Sequence, residues 1–332
     1  MALEAKPTMR VWGTWCASAA LFLTAAVVTA TPSLAEDALR VGKAQAQPFT
    51  FAPLDIGIEE GIFKKHNLEI EATAFPGSAN LQRAIAADAI DIAVGSGPEL
   101  AFIAKGNPGL GVAAMANEPA LLSLITQKDS PIKTVADLKG KLISVSTVGS
   151  LTAWLVKELS RQQGWGPDGI KMAELGATPP QVAAMRTNQT NGMVTDIAGA
   201  YEFEQQGIAR IVVHFGNIVK DFHIHVIFAS NKVIAEHPDR VKAFLAGWFE
   251  TIDFMHKNKA EAVRIGARVG GVSEAIESKV YDEVMPTFST DGKFNPKALA
   301  TLSRSFVELG TFEKEPDMSK LYTEKFLPGA SN

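Results

Sequence analysis

The chain has 332 residues, 46% of them hydrophobic and 20% charged, with 27 Gly, 17 Pro and a net charge of −4. That balance excludes a disordered chain, a collagen-like repeat and a disulfide scaffold, and the length predicts about two globular lobes. The charge leaves no basic excess to hold a phosphate backbone, so nucleic acid is not an expected partner.

The first segment does not read as part of the fold. Lys6 and Arg10 open a positive start, and Val11 to Ala30 then runs without a charge. Ser33-Leu34-Ala35 places small residues where a signal peptidase reads, so 1–35 is expected to be a cleaved secretory signal peptide, with Glu36 first in the mature chain. An uncleaved anchor is the alternative for an apolar run of this length. Cys16, the one cysteine, falls inside this segment. A mature chain without Cys has no disulfides, no thiolate nucleophile and no Cys-based zinc or iron–sulfur site. No cofactor and no metal are expected.

The mature chain alternates strands and helices. Leu39 to Gly42 reads as a strand and Leu54 to Glu60 as a helix stopped by Gly61. Leu68 to Phe75 alternates in strand fashion, and Leu81, Ala84 and Ile85 follow helix spacing. Ile90 to Val94 is a buried strand, and Gly106 to Gly111 is a turn ahead of the apolar run Val112 to Ala116. Thr134 opens a short helix, Lys141 to Ser146 is a strand, and the helix after it carries Leu151, Trp154, Leu155 and Leu159 on one face, which makes Trp154 a core residue. Thr178-Pro179-Pro180 starts a helix and Met193 to Thr195 is the next strand. The last third is helical. It carries an apolar stripe from Val241 to Met255, a Gly270-Gly271 stop, a Ser273 cap and an Asn295-Pro296 start with Gly310 beyond its end. These helices are expected to pack on the first lobe.

This grammar predicts an α/β fold of two lobes, each a mainly parallel sheet flanked by helices. The expected division is 36–127 plus 222–332 for the first lobe and 128–221 for the second, with crossings near Gln127 and Asp221. A weak echo aligns Asp91-Ile92-Ala93 with Asp196-Ile197-Ala198, each after a helix and ahead of another that ends at Gly106 or Gly207.

Motifs for phosphate-binding loops and nucleophile elbows are missing. Instead, polar loops stand at the carboxyl ends of successive strands, where open α/β sheets bind ligands. They are 44–51, 76–80, 95–98, 146–152 and 177–181, and none contains Lys, Arg, Asp or Glu. The expected ligand contacts in them are Gln45, Phe49, Thr50, Ser78, Ser96, Thr147, Gly149 and Ser150. Gly149 lets the backbone pass close to a ligand. Helix N-termini opening from these loops favour one delocalised negative charge. Asn117, Asp196 and His225 complete the set. His223 and His225 in the segment Phe222 to Ala229 are candidates for a hinge role, a ligand contact or a metal.

The run Leu54-Asp55-Ile56-Gly57-Ile58-Glu59-Glu60-Gly61-Ile62-Phe63-Lys64-Lys65-His66-Asn67-Leu68-Glu69-Ile70 resembles the first-lobe signature of periplasmic solute-binding proteins of ABC importers. The branch is the nitrate/sulfonate/taurine type, related to thiamine-pyrimidine precursor synthases. Ala84 to Ala93 and Thr134 to Ser150 carry the same resemblance. Asn67 stands where the family favours Gly, Asp88-Ala89 replaces another usual Gly, and Tyr201-Glu202-Phe203 replaces an aromatic-Pro pair. The resemblance implies a type II periplasmic-binding fold and a monomer that captures a sulfonate-, nitrate- or taurine-like solute in its cleft. It also implies a periplasmic location and delivery to a permease in the inner membrane. An enzyme on the same fold, or a receptor for a sensor or another carrier, is the alternative; a thiamine pyrimidine or an aromatic acid is the alternative ligand.

Overall fold

Short apolar runs separated by amphipathic stretches condense into two five-stranded sheets. The computed structural model describes residues 38–146 and 150–330. The expected signal peptide lies outside the described residues. The chain runs β1 (Leu39–Lys43), α1 (Ala52–Glu59), α2 (Ile62–Lys65), β2 (Ile70–Ala74), α3 (Ser78–Ala86), β3 (Ile92–Ser96), α4 (Leu100–Ala104) and β4 (Gly109–Ala116). It continues as β5 (Leu122–Gln127), β6 (Leu142–Val145), α5 (Leu151–Gln162), β7 (Lys171–Glu174), α6 (Thr178–Arg186), β8 (Gly192–Asp196), α7 (Ile197–Gln205) and β9 (Ala209–His214). It then returns to β10 (His225–Ser230) and ends in α8 (Asn231–Glu236), α9 (Pro238–Lys257), α10 (Lys259–Gly270), α11 (Glu274–Val284) and α12 (Pro296–Glu308).

The first sheet has the order β2-β1-β3-β10-β4 and the second β7-β6-β8-β5-β9. In the first, β1 is parallel to β2 and β3, while β10 is antiparallel to β3 and β4. In the second, β6 is parallel to β7 and β8, while β5 is antiparallel to β8 and β9. Four strands of each sheet therefore run one way. The reversed strand in each is the one that arrives from the other sheet.

This pairing corrects the expected division. Leu122–Gln127 belongs to the second sheet, although the sequence reading left it in the first lobe. An apolar strand carries no mark of its sheet, and β5 is reassigned by its partners, with Leu124 beside Val194 and Val213. The outward crossing is thus 117–121, between β4 and β5, and the return is 215–224, between β9 and β10.

The internal repeat is real, but its register differs from the echo read in the sequence. Elements one hundred residues apart correspond: α3 begins at Ser78 and α6 at Thr178, and β3 ends at Ser96 and β8 at Asp196. Asp88 and Asn188 both adopt left-handed backbone, at φ 54 and 57. Asp91 N–H donates to the Arg40 carbonyl at 2.8 Å and Asn191 N–H to that of Leu142 at 2.7 Å. Their side chains accept from the Arg40 and Leu142 N–H groups at 3.0 and 2.9 Å. Asp91 therefore matches Asn191 and opens a strand, whereas Asp196 closes a strand and caps α7 through Gly199 N–H at 2.8 Å.

The inner strands of both sheets are buried on both faces, as strands covered by helices require, while β2 and β7 at the edges are exposed or half-buried. Adjacent Leu124 and Ile125 of β5 enter different apolar clusters. The expected stripe of α9 is buried from Val241 to Met255, and Phe244 stacks on Phe63 of α2 at 5.3 Å. Gly271 closes α10 in left-handed backbone, Ser273 caps α11 and Asn295 caps α12. The late helices also reach the second sheet's helices, which the expected packing on the first lobe missed. Lys279 of α11 lies 5.4 Å over the ring of Tyr201 of α7, and Trp154 Nε1 of α5 donates to Glu308 of α12 at 2.8 Å. No helix of the described residues is long and apolar enough to cross a membrane.

Candidate functional site

The carboxyl ends of β1, β3, β6 and β8 converge on a cleft with two compartments. The larger, of about 590 Å³, takes Ser78 and Ser96 from the first sheet's side and Ser150 and Thr152 from the second. The smaller, of about 260 Å³, takes Thr178, Asp196 and Glu202 from the second side and Phe49 and Glu277 from the first. Gln45, Pro48, Leu121 and Asp196 line both.

In the larger compartment, hydroxyls sit where helices begin. Ser78 Oγ and Ser96 Oγ are 3.3 Å apart, and Ser96 Oγ donates to Glu99 at 3.2 Å. Glu99 also accepts from Ser96 N–H at 2.8 Å and from Gln82 Nε2 at 2.7 Å, a capping-box arrangement on a buried carboxyl. Gly95 makes room for it, since a Cβ there would stand 2.6 Å from both carboxyl oxygens. Gly97 is equally constrained: a Cβ on it would overlap the His223 carbonyl. Burial pushes the Glu99 carboxyl up, against hydrogen bonds from Ser78, Gln82 and Ser96. On the facing side, Ser150 Oγ caps α5 through Ala153 N–H at 3.3 Å and lies 2.8 Å from Thr152 Oγ1. Thr152 Oγ1 in turn accepts from Ser146 N–H at 3.1 Å.

His225 pairs with Ser96 in the β10–β3 ladder and meets Phe51 edge-on at 4.9 Å. Its Nδ1 is buried without a hydrogen bond among the described residues, and burial lowers the ring to about 3, so it is neutral. Burial pushes the Glu277 carboxyl in the smaller compartment up to about 7, and the charge of Asp196 adds to that.

Of the expected contacts, Gln45, Ser78, Ser96, Ser150, Asp196 and His225 line the larger compartment. Phe49 lines the smaller one and packs edge-on against Tyr281 and Phe288 at 5.9 and 6.2 Å. Two lie elsewhere. Thr50 is buried in the core, where the turn 49–51 directs it away from both compartments, and its hydroxyl has no partner. Asn117 lies in the outward crossing, against a separate hollow beside His214 and Thr287, and its Oδ1 accepts from His223 at 2.9 Å. Thr147 and Gly149 fall outside the described residues. No cluster suited to a metal ion occurs among the described residues.

Sequence reasoning missed Glu99, Glu202, Glu277 and Lys105. Glu99 had a legible signal, the Ser-x-x-Glu spacing from Ser96, but the loop as read stopped one residue short of it. Lys105 lines the larger compartment from the end of α4. Glu277 reaches the cleft from a helix remote in sequence, and nothing local announces it.

Known proteins share this architecture. The periplasmic aliphatic sulphonate binding protein SsuA from Escherichia coli superposes with a TM-score of 0.74 at 19% identity, over 86% of this chain and 92% of its own. The ligand-binding component of an ABC-type import system from Staphylococcus aureus, solved with zinc bound, gives 0.73 at 16% identity over 89% and 99%. The desulfurization enzyme DszB gives 0.63 at 14% over 86% and 97%. At such identities the likeness establishes the periplasmic binding protein fold alone, and it spans binders and an enzyme. Family membership rests on sequence: residues 49–262 match the model described as NMT1/THI5 like, and the chain belongs to the NMT1/THI5-like family.

Proposed function

We propose that this protein is the solute-binding component of an ABC importer. It captures a small oxyanion-bearing solute, of the sulfonate, nitrate or taurine kind, and hands it to an inner-membrane permease. The observation that carries this is the larger compartment. Two sides that face each other contribute hydroxyls at helix starts, Ser78 of α3 and Ser150 of α5. Exposed N–H groups at those helix starts favour an anion by about 0.3–1 kcal/mol each. The lobes then close around the solute as a hinge motion about 117–121 and 215–224.

Binding without turnover is part of this proposal, and the cleft's chemistry supports it. No described histidine nitrogen reaches a cleft hydroxyl, and the carboxyl next to Ser96 is one that burial holds toward its protonated form. The fold likeness to sulfonate binders supports this reading, and the proposed signal peptide supports a periplasmic location. Intact mass of the periplasmic form, with Glu36 first, checks the latter.

A thermal-shift screen over sulfonates, nitrate, taurine, thiamine pyrimidines and aromatic acids tests the ligand class. Ser150→Asp sharpens it. Aspartate caps a helix as well as serine does, so the melting temperature should stay within a degree or two. The new carboxylate would meet the solute's own charge, and affinity for an anionic hit should fall by about tenfold or more. Unchanged affinity by calorimetry would remove α5 from the site. Recovery of the bound compound chemically altered would instead favour an enzyme.

A further inference from the structure

The internal repeat gives the two compartments different chemistry at equivalent places. Ser78 and Ser96 line the larger one; of their counterparts, Thr178 lines the smaller and Asp196 stands between the two, lining both. Where the first repeat sets the Ser96 hydroxyl, the second thus sets the Asp196 carboxylate. Glu202 of α7 adds a second, and Glu277 of α11 brings a third from the opposite side of the cleft.

Glu277 is the telling residue. It is 2% exposed, it lines the compartment, and its carboxyl accepts no hydrogen bond and meets no cation among the described residues. Lys279, the lysine of the same helix, is over the ring of Tyr201 and lines a different hollow. Among the described residues, no Lys or Arg lines the compartment. A buried carboxylate with neither donor nor counter-charge is strongly unfavourable, and here a second carboxylate faces it.

We infer that the smaller compartment receives a protonated nitrogen of the solute, a primary ammonium held between Asp196 of one lobe and Glu277 of the other. The inference rests on the reading of the cleft as a solute site. It makes the solute a zwitterion, with its oxyanion among the serines and its ammonium among the carboxylates. Neither lobe alone supplies both carboxylates, so the ammonium binds the closed form better than the open one and favours closure. Burial and Asp196 hold the Glu277 carboxyl up at about 7 without a ligand, and an arriving cation draws it back down.

Two probes separate the contributions: propane-1-sulfonate and 3-ammoniopropane-1-sulfonate, alike in oxyanion and chain and different at one end. Calorimetry at pH 7.5 on the purified protein should show the ammonium compound binding about tenfold tighter or more, the scale of a charge-assisted pair. That preference should collapse in Glu277→Gln, which keeps the side-chain shape. It should weaken in Asp196→Asn, which keeps the α7 cap. Melting temperatures of both variants confirm folding. Equal affinity for the two compounds, or a preference that survives both substitutions, overturns the inference and leaves the oxyanion reading standing. Binding of neither compound overturns both.

Discussion

Trp154→Ala should lower stability by about 3–5 kcal/mol, the range for removing a fully buried large aromatic. The indole is 1% exposed and stacks on Phe222 at 4.8 Å with the rings 18° from parallel. Its Nε1 donates to Glu308 at 2.8 Å, and one helical turn on, Glu158 faces Arg304 of α12 at 3.8 Å. One side chain thus joins α5 of the second sheet, the return crossing and the last helix. Trp154→Phe keeps an aromatic face against Phe222 and loses the N–H and part of the buried ring volume. Glu308 is a third exposed and can bond to water instead, so that variant should lose mainly the packing of the missing ring, about 1–2 kcal/mol, well below the alanine. Urea unfolding of the two variants measures both. A loss below about 1 kcal/mol for the alanine would show that the stack does not hold these elements together.

How much of this was legible in the sequence depends on range. Local signals resolved well. Asn67, read as a Gly substitute, sits at φ 57, and Asp88, read as a departure from Gly, is likewise left-handed at φ 54. Thr134 caps its short helix in a capping box with Asp137. What failed was pairing. The apolar run Leu122–Gln127 carries no mark of its sheet, and only its partners β8 and β9 assign it. The echo of Asp91 in Asp196 was a letter match five residues out of register, because Asn191 does the same work through its amide oxygen.

The candidate site divided along the same line. Ser78, Ser96 and Ser150 were legible because a polar residue at a strand-to-helix turn is placed by local geometry. Thr50 fails by the same rule. Three consecutive residues of a tight turn cannot all face one cavity, and Phe49 and Phe51 take its two compartments. Apart from Asp196, the acidic character of the cleft was illegible. The loops contain no charge, and Glu277 arrives on a helix roughly eighty residues after Asp196. The compartment is charged by tertiary packing.

The second large effect concerns His223, and its sign follows from its partners. The ring is fully buried in the return crossing. Its Nδ1 pairs with Asn117 Oδ1 of the outward crossing at 2.9 Å, and Asn295 N–H at the start of α12 donates to Nε2 at 2.8 Å. The ring of Phe294 closes over it at 5.3 Å. Nε2 is therefore an acceptor, and a proton there would oppose the Asn295 N–H. Burial lowers the group from 6.5 to about 4. A histidine lowered on folding binds protons more readily in the unfolded chain. Its stabilisation is complete above about pH 6.5 and is lost as pH falls towards 4, by about 2 kcal/mol at pH 5. Glu277 and His225 titrate as well, with opposite signs, so the wild-type profile alone does not isolate one group. A difference does. His223→Leu removes the titration and leaves Asn117 Oδ1 and Asn295 N–H unpaired, at a cost of about 3 kcal/mol at pH 7.5. Because only the wild type then suffers the proton penalty, the gap between the two should narrow to about 1 kcal/mol at pH 5. Urea midpoints of both proteins at the two pH values give the gap directly. A gap that does not change with pH would mean that folding leaves the proton affinity of His223 unshifted, and that Asn295 does not donate to it.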